Sequence, residues 1–316
     1  MTGRRLAVLA PLPVLILAVP LLVPRYYVNL LTEVAIYAIF AMTIDILAGY
    51  AGRTPLGHGA LFGIGAYFTG YTVAVRQGSV LEAVLLGLGA ACAASLVFAL
   101  LAIRTSGVSF LLLTLAQGMI VWGVCVRWTS VTGAENGIRG IARPAAVADP
   151  TRFYYLAVVI AALAAWAMWR FVSSPFGLTL RGIRDSESRM RTLGYNVPLH
   201  LTIGFVVSGT FAGLAGTLYA FFNTFVSPTN VALATSVKGL LMAIIGGVGT
   251  LFGSIAGAAV LILLENFVSL FTDRWPMVLG SIFVLTMIFA REGIVGKARL
   301  LAARSRPRLT HKGDQP

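Results

Sequence analysis

The ionisable side chains Glu33, Asp45, His58 and Glu265 fall within long apolar stretches of this chain. A carboxylate at mid-bilayer depth costs roughly 2.5–3.5 kcal/mol on insertion scales, so groups kept at such positions are candidates for ion coupling or proton relay. Spacing limits what these four can do. Glu33 and Asp45 are 12 residues apart, about 18 Å along a helix, and do not form a pair. Asp45 is expected to face other helices or the inner boundary, and the same holds for Glu265. His58 has no carboxylate at local helical spacing; its expected place is near the cytoplasmic boundary, where an imidazole reaches water. A structural or path-lining role therefore ranks above a relay.

Other chemistries find no residues to carry them. Cys92 and Cys125 lie in apolar stretches without a Cys or His at metal-ligand spacing, which makes them packing residues. There is no nucleophile with an adjacent base and no metal-ligating cluster. Gly293-Ile-Val-Gly-Lys297 is too short for a phosphate-binding loop and lacks its hydroxyl. The expectation is a chain with no catalytic residue, no cofactor and no metal, on which ATP does not bind.

The elements that position these residues follow from composition. Of 316 residues, 58% are hydrophobic and only 11% charged, less than half the charged share of a soluble domain; mean hydropathy is +0.88. Barrel strands alternate polar and apolar residues, whereas Val80–Ile103 is apolar on all sides. The fold class is all-α and polytopic. Ten windows qualify as spans or half-spans: 6–24, 30–48, 54–75, 80–103, 108–127, 153–172, 201–222, 231–247, 251–271 and 276–290. The eighth and tenth are short enough for half-helices or re-entrant elements. Leu6–Val23, after Arg4-Arg5, reads as a first retained span and not a cleaved signal.

Charge sets the orientation. The net charge is +13, yet the basic residues cluster at span ends and in the tail, which points to membrane topology and not to nucleic acid. Ten crossings with cytoplasmic N and C termini place 16 of the 24 basic residues inside, as the positive-inside rule requires. Residues 1–296 then form one transmembrane domain, and 297–316 a disordered basic cytoplasmic tail. Two connections are long: 128–152 outside and 173–200 inside.

The inner connection has its own logic. Pro175 suits a helix start and Gly194 a left-handed helix stop, and Leu180, Ile183 and Leu193 can share one stripe of an amphipathic helix. Such a helix can rest on anionic lipid or pass force from a soluble partner into the bundle. Glycine patterns mark two further places. Gly57-His58-Gly59 is either close helix packing or an unwound turn beside a wet path. Gly246-Gly247-Val-Gly249 forms a turn before a stripe at 249, 253 and 257 that reads as a packing seam, and the turn itself can end a half-helix beside the path.

The order of residues in the inner connection resembles the permease subunits of bacterial ABC importers, in particular the branched-chain amino-acid permease family and its M-type subunit. The matching residues are Ser174-Pro175-Phe176-Gly177, Arg181-x-x-Arg184-Asp185, and Glu187 through Gly194-Tyr195, with Arg189-Met190 where the family carries small residues. Leu47-Ala-Gly-Tyr-Ala-Gly, Leu56-Gly-His-Gly-Ala with Phe62-Gly-Ile-Gly-Ala-Tyr67, Leu113-Thr-Leu-Ala116, Trp128-Thr-Ser-Val-Thr-Gly133, Phe211-Ala-Gly-Leu-Ala-Gly216 and Ile245-Gly-Gly-Val-Gly-Thr-Leu-Phe-Gly253 are similar to the same family.

The resemblance implies a translocation subunit of the bacterial inner membrane, paired with a homologous second permease. It implies two cytoplasmic ABC ATPases that push on 174–195 through Pro175, Phe176, Gly177, Arg181, Arg184, Asp185, Glu187, Gly194 and Tyr195. It implies an extracytoplasmic substrate-binding protein that delivers branched-chain amino acids, with Trp128, Thr132, Gly133, Glu135, Asn136, Arg139 and Arg143 as the docking surface; the loop by itself reads equally as a solvated connection. Gly57, His58, Gly59, Gly246, Gly247 and Gly249 are its candidate path residues. Related permeases carry urea, amides or other amino acids. The rival from a different class is an ion-coupled secondary transporter using Glu33, Asp45 or His58.

Overall fold

The computed structural model describes residues 23–271 and the isolated positions 20, 277, 278, 280 and 281. The windows 6–24 and 276–290 and the tail 297–316 therefore lie wholly or almost wholly outside the described residues. The other eight windows fall on helices. In chain order these are α1 (Arg25–Asp45, continued by a π-helical turn Ile46–Tyr50), α2 (His58–Gly70, continued by a second π turn Tyr71–Val75), α3 (Val80–Ala102) and α4 (Gly107–Arg127). A single turn, α5 (Thr129–Thr132), precedes α6 (Pro150–Val172), the paired short helices α7 (Pro175–Asp185) and α8 (Glu187–Thr192), and then α9 (Val197–Asn223), α10 (Leu233–Gly246) and α11 (Phe252–Ser269). Among the described residues, seven helices are long and apolar enough to cross a membrane. The chain is a multi-pass α-helical membrane protein.

Local sequence explains where these helices begin. Ser79, Asp149, Ser174, Ser186 and Asn196 each accept a backbone N–H of the following first turn through the side chain, satisfying donors that a helix start leaves free. Proline follows within the first two positions at Pro150, Pro175 and Pro198, where its missing N–H costs nothing.

Helix α1 is the axis of the bundle, buried over most of its length against α6, α9, α10 and α11. Small residues allow the closest approaches. Gly65 lies against Gly213 and Gly216 against the Phe62 carbonyl, locking α2 to α9; Gly209 and Gly213 meet Ser95 and Ala91 of α3. Without a hydrophobic driving force between helices in lipid, such backbone contact is what holds them. Gly253 and Gly257 of α11 seat on Gly246 and Met242 of α10, as the seam reading expected. Gly249 does not join that stripe. It belongs to the turn before α11, at φ +82°.

The connections sort into two ends. One gathers residues 46–57, 103–106, 173–196 and 247–251 through the side-chain contacts described below. At the other, β1 (Ile138–Arg139) pairs antiparallel with β2 (Phe225–Val226), tying the loop after α5 to the connection after α9. The sequence-based expectation is that the first end faces the cytoplasm.

Candidate functional site

The inner connection is a kinked pair of helices and not one amphipathic helix. Ser186 is extended, at φ −165° and ψ 101°, and its hydroxyl caps the second helix at Arg189 N. The kink redirects the stripe expected from the sequence. Leu180 and Ile183 are buried, while Leu193, beyond the kink, is 66% exposed. Met190 bridges the two helices by packing on Gly182. The Gly194 stop is as expected: it takes φ +86°, and the Tyr195 N–H reaches back to the Met190 carbonyl at 3.1 Å, closing α8.

Four attachments fasten this pair to the bundle. Arg53, 9% exposed, donates to Glu187 at 2.6 Å and to the Thr105 carbonyl. Glu187 also receives Arg191 at 2.6 Å. Arg184 donates to the Gly49 carbonyl at 2.6 Å, and Arg181 covers the Tyr50 ring at 4.7 Å. The carbonyl at Gly49 lies in the π turn that ends α1; such a turn leaves a carbonyl out of the regular ladder, a geometry common at functional sites. Phe176 packs on Phe171 and stacks on His200 at 5.0 Å. Pro175, Arg181, Arg184, Asp185, Gly194 and Tyr195 are exposed, Phe176 and Glu187 are half-buried, and Gly177 is buried against the Val172 backbone.

The same turn of α1 reaches the turn between α10 and α11. Asp45, fully buried, accepts the Gly249 N–H at 2.6 Å with one oxygen and the Leu251 N–H at 2.8 Å with the other. Leu251 stands at φ +47° and Gly247 at φ +107°. A leucine in the left-handed region is strained, and the carboxylate holds it there. Arg181, Arg184, Gly49, Tyr50, Trp169 and Gly249–Phe252 enclose a polar cavity of about 360 Å³ between the short helices and this turn. Contacts thus run from α7–α8 to the end of α1 through Arg184 and Arg181 and to the segment after it through Arg53, and from the end of α1 to the 247–251 turn through Asp45.

His58 does not reach water. It is fully buried, with Nε2 2.7 Å from the Ser208 hydroxyl, which itself donates to the Thr43 carbonyl at 2.6 Å. With its one proton spent, Ser208 must accept, so Nε2 carries the hydrogen and Nδ1 is left with no partner. The helical break falls at 51–57, before His58. Gly57 lies against the Thr114 carbonyl and Gly59 against Ser236, so both glycines serve close packing.

At the outer end, Glu135, Asn136 and Arg139 are exposed, Gly133 is half-buried, and Thr132 is buried, donating to Cys125 and Trp128 carbonyls at 2.7 Å. Arg143 is not a free surface group: it caps α9 at the Phe221 and Phe222 carbonyls and lies 5.0 Å from the Phe153 ring. Burial pushes its pKa down from the ordinary arginine value.

Sequence reasoning missed two residues. Arg53 counted only as a topology charge, and nothing local marks it as the anchor of Glu187. Lys238 passed unremarked inside the 231–247 window, although a lone lysine in a span is a readable signal.

A bundle of apolar crossings with a capped, basic helix pair packed against one end is the architecture of a multi-pass membrane protein. Residues 26–290 match the family described as branched-chain amino acid transport system, permease component, and the chain belongs to that family as a permease subunit of an ABC importer. It is 28% identical to the high-affinity branched-chain amino acid transport system permease protein LivM of Escherichia coli (strain K12), over 94% of this chain and 76% of the relative. It is 22% identical to LivH of the same system and organism, over 83% of this chain and 91% of that one. The guanosine ABC transporter permease NupQ of Bacillus subtilis (strain 168) is 32% identical over 50% of this chain and 51% of its own length. No solved structure matches the chain significantly.

Proposed function

We propose that this chain is the M-type half of a permease pair in the bacterial inner membrane that imports branched-chain amino acids. A homologous second permease completes the pathway, two cytoplasmic ABC ATPases dock on residues 174–195, and an extracytoplasmic binding protein docks on the loop that exposes Glu135, Asn136 and Arg139 beside Gly133, with Thr132, buried, bracing that loop from inside. The observation that carries this reading is the linkage from Glu187 and Arg184 through the end of α1 and Asp45 to the turn at Gly247–Leu251. ATP-driven closure displaces α7–α8; the displacement reaches the strained turn, which with Gly246, Gly247 and Gly249 forms the inner limit of the path. The Gly57–Gly59 segment lies beside this path as packing that fixes α2 and does not relay protons. The chain itself makes and breaks no covalent bond.

The test is reconstitution. The complete complex in liposomes accumulates leucine only with ATP inside the ATPase compartment and loaded binding protein on the other side. Uptake by this chain alone against a gradient, or uptake that collapses when the proton gradient is dissipated while ATP is held constant, overturns the reading in favour of ion coupling.

A further inference from the structure

Helices α1, α10 and α11 pack on one another and carry Glu33, Lys238 and Glu265 respectively. Lys238 Nζ lies 2.6 Å from Glu265 Oε2, with side chains 21% and 20% exposed, and 4.5 Å from the centre of the Tyr37 ring. Glu33 precedes Tyr37 by four residues on α1 and so shares its helical face; it has no ion-pair or hydrogen-bond partner among the described residues. Below them is an aromatic floor. Tyr37 stacks on Phe62 at 5.9 Å, and Tyr219 meets both rings at 6.0 and 5.4 Å; the Tyr219 hydroxyl is oriented by Asn223 at 3.0 Å.

Glu33 is eight residues inside the outer end of α1, about 12 Å along the helix. At that depth, charges that keep a fifth of their surface open do not face hydrocarbon; they face a wet path or a polar occupant. Between their ends, α3, α4 and α6 expose apolar side chains by contrast, among them Leu81, Leu100, Ile120 and Leu163, as a lipid-facing surface requires.

We propose that Glu33, Lys238 and Glu265 form a transient binding site for the zwitterionic head of an α-amino acid on its way through the permease. Glu33 receives the α-ammonium. Lys238 receives the α-carboxylate, shared with Glu265, and the aliphatic side chain lies toward Tyr37 and Tyr219. A simple cation can neutralise Glu33, but only a molecule carrying both charges engages Glu33 and Lys238 together. A neutral nucleoside has neither. The inference rests on the amino-acid reading of the proposed function and names the site that reading lacks.

The experiment uses the complete complex in liposomes with saturating leucine-loaded binding protein, following leucine uptake and ATP hydrolysis together. In Glu33→Gln, uptake falls about 10-fold or more, the loss expected for one charged hydrogen bond, while assembly and binding-protein-stimulated ATP hydrolysis stay within about twofold. The double variant Lys238→Met with Glu265→Gln removes both members of the ion pair at once, so neither is left without the other; it also assembles and hydrolyses ATP but does not transport. Should the double variant fail to assemble, Glu33→Gln decides alone, because Glu33 has no ion-pair partner to lose. Normal uptake in Glu33→Gln, or in an assembled double variant, overturns the site. A parallel loss of uptake and hydrolysis also overturns it, since that marks a role in closure. Leucine uptake by the unaltered complex is measured in the same vesicles. If the unaltered complex carries leucine and the variants do too, only this site fails; if it carries no amino acid, the substrate reading fails first.

Discussion

Arg53 and Glu187 are 134 residues apart in the chain and 2.6 Å apart in space, and through this pair the short inner helices are fixed to the start of the break before α2. The guanidinium is nearly enclosed, at 9% exposure, while the carboxylate is 32% exposed, so most of the cost of breaking the pair falls on Arg53. Glu187→Leu removes the partner and also frees Arg191. The expected loss is about 1–3 kcal/mol of local stability, with solvent around Glu187 keeping it at the lower end. Uptake per ATP hydrolysed falls about 10-fold, while membrane insertion is unchanged. Simultaneous measurement of hydrolysis and uptake checks this, and a coupling ratio equal to that of the unaltered protein counts against the linkage.

Asp45 offers a test of the second joint. Its two oxygens serve two backbone N–H groups of one turn, and Asp45→Asn preserves shape while replacing one acceptor by an NH₂ that confronts an N–H. Hydrogen bonds to a charged group contribute about 1.5–3 kcal/mol each, and one is lost. The thermal midpoint of the purified protein in detergent drops, and Cys-substituted positions 248 and 250 become more reactive to thiol reagents. An unchanged midpoint together with unchanged reactivity would show that the turn holds itself.

Close packing predicts a different phenotype. A methyl group at Gly216 meets the Phe62 carbonyl of α2, and neither backbone can yield without separating α2 from α9. Gly216→Ala therefore costs about 1–3 kcal/mol and reduces the folded yield, with coupling normal in whatever protein survives. Gly89→Ala is the control, because nothing lies within 4 Å of its missing side chain. Equal yields for the two variants would remove the seam from the account.

The sequence showed the helices and their caps because those are local: hydrophobic runs, Ser174 before Pro175, and Gly194 at a stop. Relationships between distant segments were not legible. Nothing near Arg53 announces Glu187, and nothing near His58 announces Ser208, which converts an expected water-facing imidazole into a packed neutral one. The stripe through Leu193 failed because Ser186 takes an extended conformation that periodicity cannot register. Gly249 failed in the same way: its spacing from 253 and 257 is helical, but the chain there turns to meet Asp45. Lys238 was readable as an anomaly in an apolar window, although its meaning depends on Glu265 and Glu33, which only packing brings together.

Orientation is the last consequence and is independent of energetics. The ends of the bundle are distinct: one carries the β1–β2 pair and the exposed Glu135 and Asn136, the other the α7–α8 pair, on which Ser188 is exposed. The excess of basic residues at the α7–α8 end predicts a cytoplasmic position for that end. In a background with Cys92 and Cys125 replaced by serine and alanine respectively, Asn136→Cys reacts with a membrane-impermeant maleimide in intact cells, and Ser188→Cys reacts only after permeabilisation. Both substitutions are at exposed positions outside any helix contact that the fold depends on, so labelling reports topology and not folding. The reverse pattern would turn the bundle over, move α7–α8 away from the compartment that supplies ATP, and leave the Arg53–Glu187 and Arg184–Gly49 joints with no engine to serve.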